Sequence, residues 1–332
     1  MQSIPSSAPS TAIRLGVIMD PINTLYIAKD STFAMMLAAQ RRGWRILTLQ
    51  PSDLRWQAGR VWARLREIAV QDDPTRWWTP LDEIDVPLAT LDLVLMRKDP
   101  PVDRAYLNAT QLLTLAEAEG LLVVNRPQAL RDLNEKLAIA AFPDLAPATL
   151  VTCHVQDVRA FLEEHREGVL KPLDGMGGRG VFRTHAGDPN LAVIVETLTH
   201  NGTRPLMAQR YLARIREGDK RILLVDGEPV PYALARIPCG DDHRGNLAAG
   251  GRGEARPLSP QDHMIAARVG PWLRDQGVWF AGLDVIGDHL TEINVTSPTC
   301  IRELDKAFGL DIAGQLLDCL AARLSIPPTH KR

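Results

Sequence analysis

Cysteine is scarce in this chain: Cys153, Cys239, Cys300 and Cys319 are the only four in 332 residues, and no two stand at C-x-x-C spacing. That excludes a disulfide framework and a thiolate zinc site, and reads as reduced thiols in a cytoplasmic protein. Charge of one sign is also lacking. With 38 basic and 40 acidic side chains the net charge is −2, so there is no electrostatic footprint for nucleic acid or an anionic membrane. No apolar run approaches the roughly 20 residues needed to span a bilayer. A G-x-x-x-x-G-K-[ST] loop is absent, which excludes a P-loop nucleotide hydrolase, and no glycine fingerprint follows the first strand, which argues against a dinucleotide-binding dehydrogenase fold. No Ser/His/Asp or Cys/His arrangement offers a protein nucleophile. The first residues are rich in Ser and Pro without a charged start or apolar centre, so residues 1–12 are expected to be a disordered leader and not a signal peptide.

What is present is the balance of a globular protein, 45% hydrophobic and 23% charged, in a chain long enough for two or three domains. Residues 13–19 read as a buried strand, 31–42 as a helix closed by Gly43, and 45–49 as the next strand, which opens a helix-flanked parallel sheet. Residues 55–78 interleave Trp56, Trp62, Trp77 and Trp78 with five arginines. Acidic residues in the same stretch favour a hairpin excursion or a subunit contact over nucleic-acid stacking. A strand at 91–96 delivers Arg97 and Lys98 to the end of the sheet where open α/β folds bind ligands. After a strand at 121–124 the first domain ends near residue 126.

The second unit, 127–203, starts with a helix expected over 130–141 that presents Lys136. Strand 169–171 presents Lys171 just before Asp174, Gly175, Met176, Gly177, Gly178, Arg179 and Gly180. A dinucleotide loop would open a helix, whereas residues 181–184 read as another strand. A glycine-rich turn between two strands is a flap whose backbone N–H groups can cover phosphates. A third unit spans 204–326, ahead of a frayed tail at 327–332. It carries strands at 222–225 and 230–237, and a Gly-rich loop at 238–253 that reads as a lid.

Residues 282–302 are the richest stretch. If Gly287, Asp288 and His289 form a hairpin loop, Asp284 lies opposite Glu292, with Asn294 two places on along the same face. Two carboxylates and an amide oxygen suit Mg²⁺; the alternative is an ordinary solvated strand face.

A lysine on a helix, a lysine on a strand, a glycine flap, central arginines and a terminal Asp/Glu/Asn set resemble the ATP-grasp fold. The chain resembles the bacterial-type glutathione synthetases from about residue 14 to 324. The likeness is carried by Gly-Val-Ile-Met-Asp-Pro at 16–21, Lys-Asp-Ser-Thr-Phe-Ala-Met at 29–35 and Met-Arg-Lys-Asp-Pro-Pro at 96–101. It continues with Leu-Lys-Pro-Leu-Asp-Gly-Met-Gly-Gly at 170–178, Arg-Gly-Asn-Leu-Ala-Ala-Gly-Gly-Arg-Gly at 244–253 and Thr-Glu-Ile-Asn-Val-Thr-Ser-Pro-Thr-Cys-Ile-Arg at 291–302.

The resemblance implies an N-terminal α/β domain with a parallel sheet, followed by a two-part ATP-grasp domain of α+β type. It implies ligation of glycine to γ-glutamylcysteine through an acyl phosphate, with ATP becoming ADP and phosphate. Position by position, Lys136 and Lys171 would hold phosphates beside Asp174 and the flap glycines Gly175, Gly177 and Gly178. Gln209, Arg210, Tyr211 and Leu212 would line the adenine slot, and Asp219 would take the ribose hydroxyls. Asp284, Glu292 and Asn294 would hold Mg²⁺, or Mn²⁺ in its place. Arg221, Arg236 and Asn246 would stabilise the transferring charge, while Arg97, Ser297, Thr299 and Arg302 would bind peptide and glycine. A homotetramer is implied as well. Another ATP-grasp ligase, joining D-alanines or extending a protein tail, keeps the ATP residues and changes the acceptor. A non-catalytic ATP-binding protein keeps the clamp alone.

Overall fold

The computed structural model describes residues 12–240, 245 and 250–325. The first sheet is built from β1 (Arg14–Ile18), β2 (Arg45–Leu49), β3 (Leu54–Gln57), β4 (Arg60–Val70), β5 (Trp78–Pro87), β6 (Leu93–Met96) and β7 (Leu122–Val124). Its strands run in the order β3-β4-β2-β1-β6-β7, with β5 also pairing β4. Only β2, β1, β6 and β7 are parallel; β3, β4 and β5 join antiparallel, so the sheet is mixed and not wholly parallel. Strand residues are sorted by the period of two. Leu15, Val17, Leu93 and Leu95 face Phe33 and Met36 of α1 (Ser31–Arg41). Ile18, Val94 and Met96 face Ala109 and Leu113 of α2 (Arg104–Ala118). The Trp/Arg stretch is the β4–β5 hairpin with β3 beside it. Its arginines meet carboxylates across strands, Arg55 to Asp85 at 2.7 Å and Arg66 to Glu83 at 3.0 Å.

The second sheet, order β10-β9-β11-β8, contains β8 (Thr149–Thr152), β9 (Glu167–Pro172), β10 (Phe182–His185) and β11 (Leu206–Arg210). It is covered by α4 (Val155–His165) and α5 (Leu191–Thr199), and its small core of Val158, Leu162, Leu170, Leu191, Val195 and Leu206 is its own. The third sheet, order β14-β13-β12-β15-β16, contains β12 (Asp219–Val225), β13 (Glu228–Ile237), β14 (Arg252–Pro257), β15 (Phe280–Ile286) and β16 (His289–Asn294). One face packs on α6 (Pro260–Asp275). The other packs on α7 (Ile301–Phe308) and α8 (Ile312–Leu324), which also touch α1. The first and third sheets therefore share core. Asn125, just after β7, reinforces the joint with four hydrogen bonds. It donates to the carbonyls of Phe280 and Val295 at 2.8 and 2.7 Å, and it accepts from the amides of Trp279 and Phe280 at 2.8 and 3.0 Å.

The helix expected over 130–141 is not continuous. Helix α3 (Pro127–Asp132) stops, and a 3₁₀ turn runs from Leu137 to Ala141. The Asn134 side-chain oxygen Oδ1 accepts from the amides of Lys136 and Leu137 at 3.2 and 3.0 Å, giving the backbone an alternative to the helix ladder. Lys136 thus stands at a bend between two short helices. Among the described residues no helix is long and apolar enough to cross a membrane.

Where α7 meets α8, the Asp305 carboxylate accepts from the Ile312 amide at 3.1 Å. Burial, with Asp311 acting the same way, pushes its pKa up to about 6. An aspartate raised in this way favours folding below its unfolded pKa, and that contribution is lost as pH rises through about 6. Asp305→Asn keeps an acceptor for Ile312 and should stabilise the protein at pH 7.5 by about 1 kcal/mol, after discounting for partial exposure. The gain should vanish at pH 4. Urea midpoints at both pH values check this, and an equal effect at each would contradict it.

Candidate active site

The chemistry-bearing residues gather on one face of the third sheet because strand register places them there. Asp219 pairs with Arg236 across β12 and β13, Arg221 with Asp284 across β12 and β15, and Asp284 with Glu292 across β15 and β16. Asp219 and Arg221 lie two apart on β12, hence on the same face. The opposition of Asp284 and Glu292 is as expected, but the turn that produces it is not. The loop has two residues, Gly287 and Asp288, and Ile286 pairs with His289 and Val285 with Leu290. A bulge at Thr291 then restores the register. Strict alternation would put Leu290 on the site face with Glu292, whereas the extra residue lets both Leu290 and Ile293 enter the core.

The ion network is dense and dry. Arg221 Nε and Nη2 donate to Asp284 at 2.5 and 3.0 Å. Arg236 Nη2 lies 2.9 Å from the same carboxylate and also bonds the Asp219 carboxylate. Burial would raise the Asp284 pKa, but the two guanidiniums hold it well below the usual carboxylate range. Gly282 makes this possible, since a Cβ there would stand 2.7 Å from Arg221 Cδ. Burial pushes Asp219 up to about 6 against Arg236, and the anions of Asp284 and Glu292 push it the same way. Asp219 Oδ1 is buried without a hydrogen-bond partner.

Lys171 reaches Glu292 at 3.2 Å from β9, and Lys136 lies 3.9 Å from it. Burial opposes the Glu292 charge, but the two lysines carry its pKa below the ordinary value. The Lys136 ammonium also donates to the Gly175 carbonyl at 2.5 Å, so the flap lies against it. The flap joins antiparallel β9 and β10, as expected. Gly177 and Gly178 have φ of +64° and +78°, a region that side chains adopt only with strain. Asp174, next to the flap, is 3.6 Å from Arg204.

Two clefts flank this network. One lies between the second and third sheets and is lined by Lys171, Gln209, Arg210, Tyr211, Leu212 and Asp219, with Asp284 and Glu292 at its end. Gln209 is anchored by a 3.1 Å bond to Thr149 Oγ1, and Arg183 stacks 3.9 Å above the Tyr211 ring. The other cleft is lined by Arg221, Arg236, Asn294, Ser297 and Thr299, with Gly177 of the flap as its lip. The Asp284 ion cluster is the wall between them.

Not every expected site residue joins these clefts. Arg97 is buried, donating to Thr32 Oγ1 and the Pro298 carbonyl at 3.0 Å each, so it holds the loop after β16 in place. Arg302 turns to Asp72, 2.8 Å away, at the tip of the β4–β5 hairpin. It belongs to a helix, α7, where a turn was expected. Asn246 and half of the expected lid lie outside the described residues. A residue the sequence reading overlooked is Glu135, whose carboxylate accepts from the amides of Val295 and Thr296 and from Thr296 Oγ1 at 2.8–3.0 Å. It shapes the turn beneath the second cleft. Only its adjacency to Lys136 could have pointed to it.

The donor chemistry of Asp284, Glu292 and Asn294 fits a hard divalent cation: two opposed carboxylates and an amide whose nitrogen is occupied by the Gly282 carbonyl at 3.2 Å, leaving its oxygen. Among the described residues there is no group of three or more His, Cys, Asp or Glu side chains that could hold a metal, so such a cation would need ligand oxygens from elsewhere.

Two clefts beside a glycine flap, with lysines and an Asp/Glu/Asn set between them, are the layout of an ATP-grasp ligase. Solved ATP-grasp structures share the fold: the D-cycloserine synthetase DcsG superposes with a TM-score of 0.66 at 18% identity, covering 94% of this chain and all of that one. The ligase PsnB with minimal precursor, Mg and ADP gives 0.61 at 19% identity, covering 94% of this chain and 97% of that one. The model of the prokaryotic glutathione synthetase N-terminal domain matches residues 13–131, and that of the prokaryotic glutathione synthetase ATP-grasp domain matches residues 135–309. Glutathione synthetase of Pseudomonas syringae pv. tomato is 56% identical over 313 residues, 94% of this chain and 98% of that protein. That of Escherichia coli K12 is 55% identical over 312 residues, 94% of this chain and 99% of that protein. The chain belongs to the prokaryotic glutathione synthetase family.

Asp284→Asn removes the one carboxylate shared by two buried guanidiniums. Uncompensated buried charge of this kind costs roughly 3–5 kcal/mol, so the urea midpoint should fall accordingly. A loss below about 1 kcal/mol would show that the network is not dry.

Proposed function

We propose that this chain joins glycine to γ-glutamylcysteine, giving glutathione, ADP and phosphate. The observation that supports it best is the pair of clefts divided by the Asp284–Arg221–Arg236 cluster. The reaction must bring a cysteinyl carboxylate up to the γ-phosphate of ATP, and like charges about 4 Å apart repel by about 4 kcal/mol at the dielectric of a protein surface. Arg221 and Arg236, on the carboxylate side, offset that repulsion and stabilise charge as it moves. Lys136 and Lys171 meet the phosphates from the other side. Attack gives an acyl phosphate, which the glycine amine displaces. The flap, with Gly177 over the second cleft, screens that intermediate from water.

In the nucleotide cleft, Gln209, Arg210, Tyr211 and Leu212 hold the base. The unpartnered Asp219 Oδ1 is a buried acceptor for which a ribose hydroxyl is a suitable donor. Asp284, Glu292 and Asn294 would hold Mg²⁺, or Mn²⁺, which when bound neutralises phosphate charge. Ser297 and Thr299 offer hydroxyls to the peptide or glycine carboxylate. We place the enzyme in the cytoplasm, in keeping with four free cysteines. We also assign it to a homotetramer, in which exposed Trp56 and Leu81 of the β3–β5 excursion supply contact surface.

Phosphate release from ATP tests the reading directly. It should require γ-glutamylcysteine and be matched by tripeptide only when glycine is added. Turnover with D-alanine or a glutamate-ended protein tail instead would identify a different ATP-grasp ligase, and no turnover under any condition would indicate a binding protein. Glu292→Gln should lower kcat/KM for Mg²⁺-supported synthesis about a hundredfold or more, and unimpaired synthesis would remove Glu292 from the site.

A further inference from the structure

Glu135 stands next to Lys136 in the chain, yet its bonds run to the second cleft. The Ile293 amide donates to the Glu135 carbonyl at 2.8 Å. One carboxylate oxygen, Oε1, then takes three donors: the amides of Val295 and Thr296 at 2.9 and 3.0 Å, and Thr296 Oγ1 at 2.8 Å. Asn294 is thereby bracketed by bonds on either side. Two successive backbone N–H groups aimed at one spot form a nest, a concavity that binds an anion, and here the anion is a side chain of the same protein. Val295 and Thr296 keep 0% and 3% of their surface exposed, so little water competes for these donors. The turn runs on through Ser297 and Thr299, which line the cleft of Arg221, Arg236 and Asn294 under Gly177 of the flap, and Glu135 lines that cleft with them. Glu135 also borders a hollow shared with Lys136 and Gly175.

We propose that Glu135 is a positioning residue for the second half of the reaction given above, on which this assignment rests. Its carboxylate fixes the floor of the cleft in which the acyl phosphate meets glycine. Two neighbours on one short bend then serve opposite clefts, the lysine facing phosphate and the glutamate the turn after β16. Lys136 does not depend on the Glu135 carboxylate for its place. The Ile293–Glu135 bond is main-chain, and the Asn134 side chain accepts from the Lys136 amide. The turn does depend on it, since without the carboxylate three buried donors lose that acceptor and must move to find others. A glycine amine has to approach the acyl carbon to about 3–3.5 Å for displacement to outrun hydrolysis. A loosened floor forfeits that alignment while ATP stays in place, so phosphate is released without a peptide bond being made.

The test measures phosphate released and tripeptide formed together, with ATP, γ-glutamylcysteine and glycine, for the full-length wild type and for Glu135→Ala, Glu135→Asp and Glu135→Gln. The wild type should give about one phosphate per tripeptide. Glu135→Ala should lose about tenfold or more in kcat for tripeptide and raise the KM for glycine about fivefold or more. It should release about two or more phosphates per tripeptide, while the KM for ATP stays within about twofold. Glu135→Asp keeps the charge but falls one methylene short of the nest, so it should resemble Glu135→Ala. Glu135→Gln keeps the reach and an oxygen acceptor, so it should restore most of the rate and a ratio near one. Thr296→Val removes one of the three donors, and adding it to Glu135→Ala should cost little more than Glu135→Ala alone, as for two residues acting through one contact. Circular dichroism identifies a variant that does not fold; if Glu135→Ala is one, the contrast between Glu135→Asp and Glu135→Gln decides. A ratio that stays at one in Glu135→Ala and Glu135→Asp overturns the proposal. So does a rise in the KM for ATP as large as that for glycine, or a Glu135→Asp enzyme that outperforms Glu135→Gln. Each of those results, with a wild type that makes tripeptide, leaves the ligase function standing; a wild type that makes none overturns that function itself.

Discussion

The carboxylate of Asp284 lies between the guanidiniums of Arg221 and Arg236, all three nearly out of reach of water, and the rest of the site is arranged around that contact. Three charges of this kind are not buried one at a time, because any member left alone would cost a large share of the fold's net stability. They are brought together by the registry of β12, β13 and β15, which is fixed in turn by apolar residues on the opposite face. Hydrophobic sorting on one side of the sheet thereby dictates electrostatics on the other. The same cluster presents a carboxylate to one cleft and guanidiniums to its neighbour, which suits a reaction between two anions.

Much of this was legible in the sequence, and the boundary of what was legible has a physical origin. Strands β2 and β8 and helices α4 and α8 coincide with the apolar periodicity, and the flap between β9 and β10 follows from glycines placed between two β-rich runs. The opposition of Asp284 and Glu292 was visible because they lie eight residues apart on one hairpin. Local spacing says nothing about the pairing of Arg221 with Asp284 across 63 residues, or of Arg302 with Asp72 across 230. Arg97 and Arg302 were therefore read as ligand contacts when their partners are parts of the chain itself. Glu135 was missed for the same reason: its three donors lie 160 residues further on.

Local signals also misled where side chains competed with the backbone. Residues 130–141 carry helical periodicity, yet the Asn134 side chain captures two amides and breaks the run. Helix α7 was hidden because it starts behind Pro298 and from Cys300, a non-glycine residue in a left-handed conformation. In the β15–β16 hairpin Asp284 and Glu292 stand opposed as expected though the turn differs, since a shorter loop and an inserted residue cancel. Such compensation arises when core packing and site geometry make separate demands on one strand.

The separate core of the second sheet has a mechanical consequence. Apart from Met207, Val151 and Leu173, which pack on the larger core, its apolar cluster is self-contained, whereas the first and third sheets share packing and are stitched by Asn125. The molecule thus consists of one welded block and one jaw with its own core. The cleft lined by Gln209, Tyr211 and Asp219 lies along the seam between them, while the wall carrying Arg221 and Arg236 is cast into the block. Opening the jaw to exchange ADP for ATP would leave the carboxylate side of the machinery undisturbed.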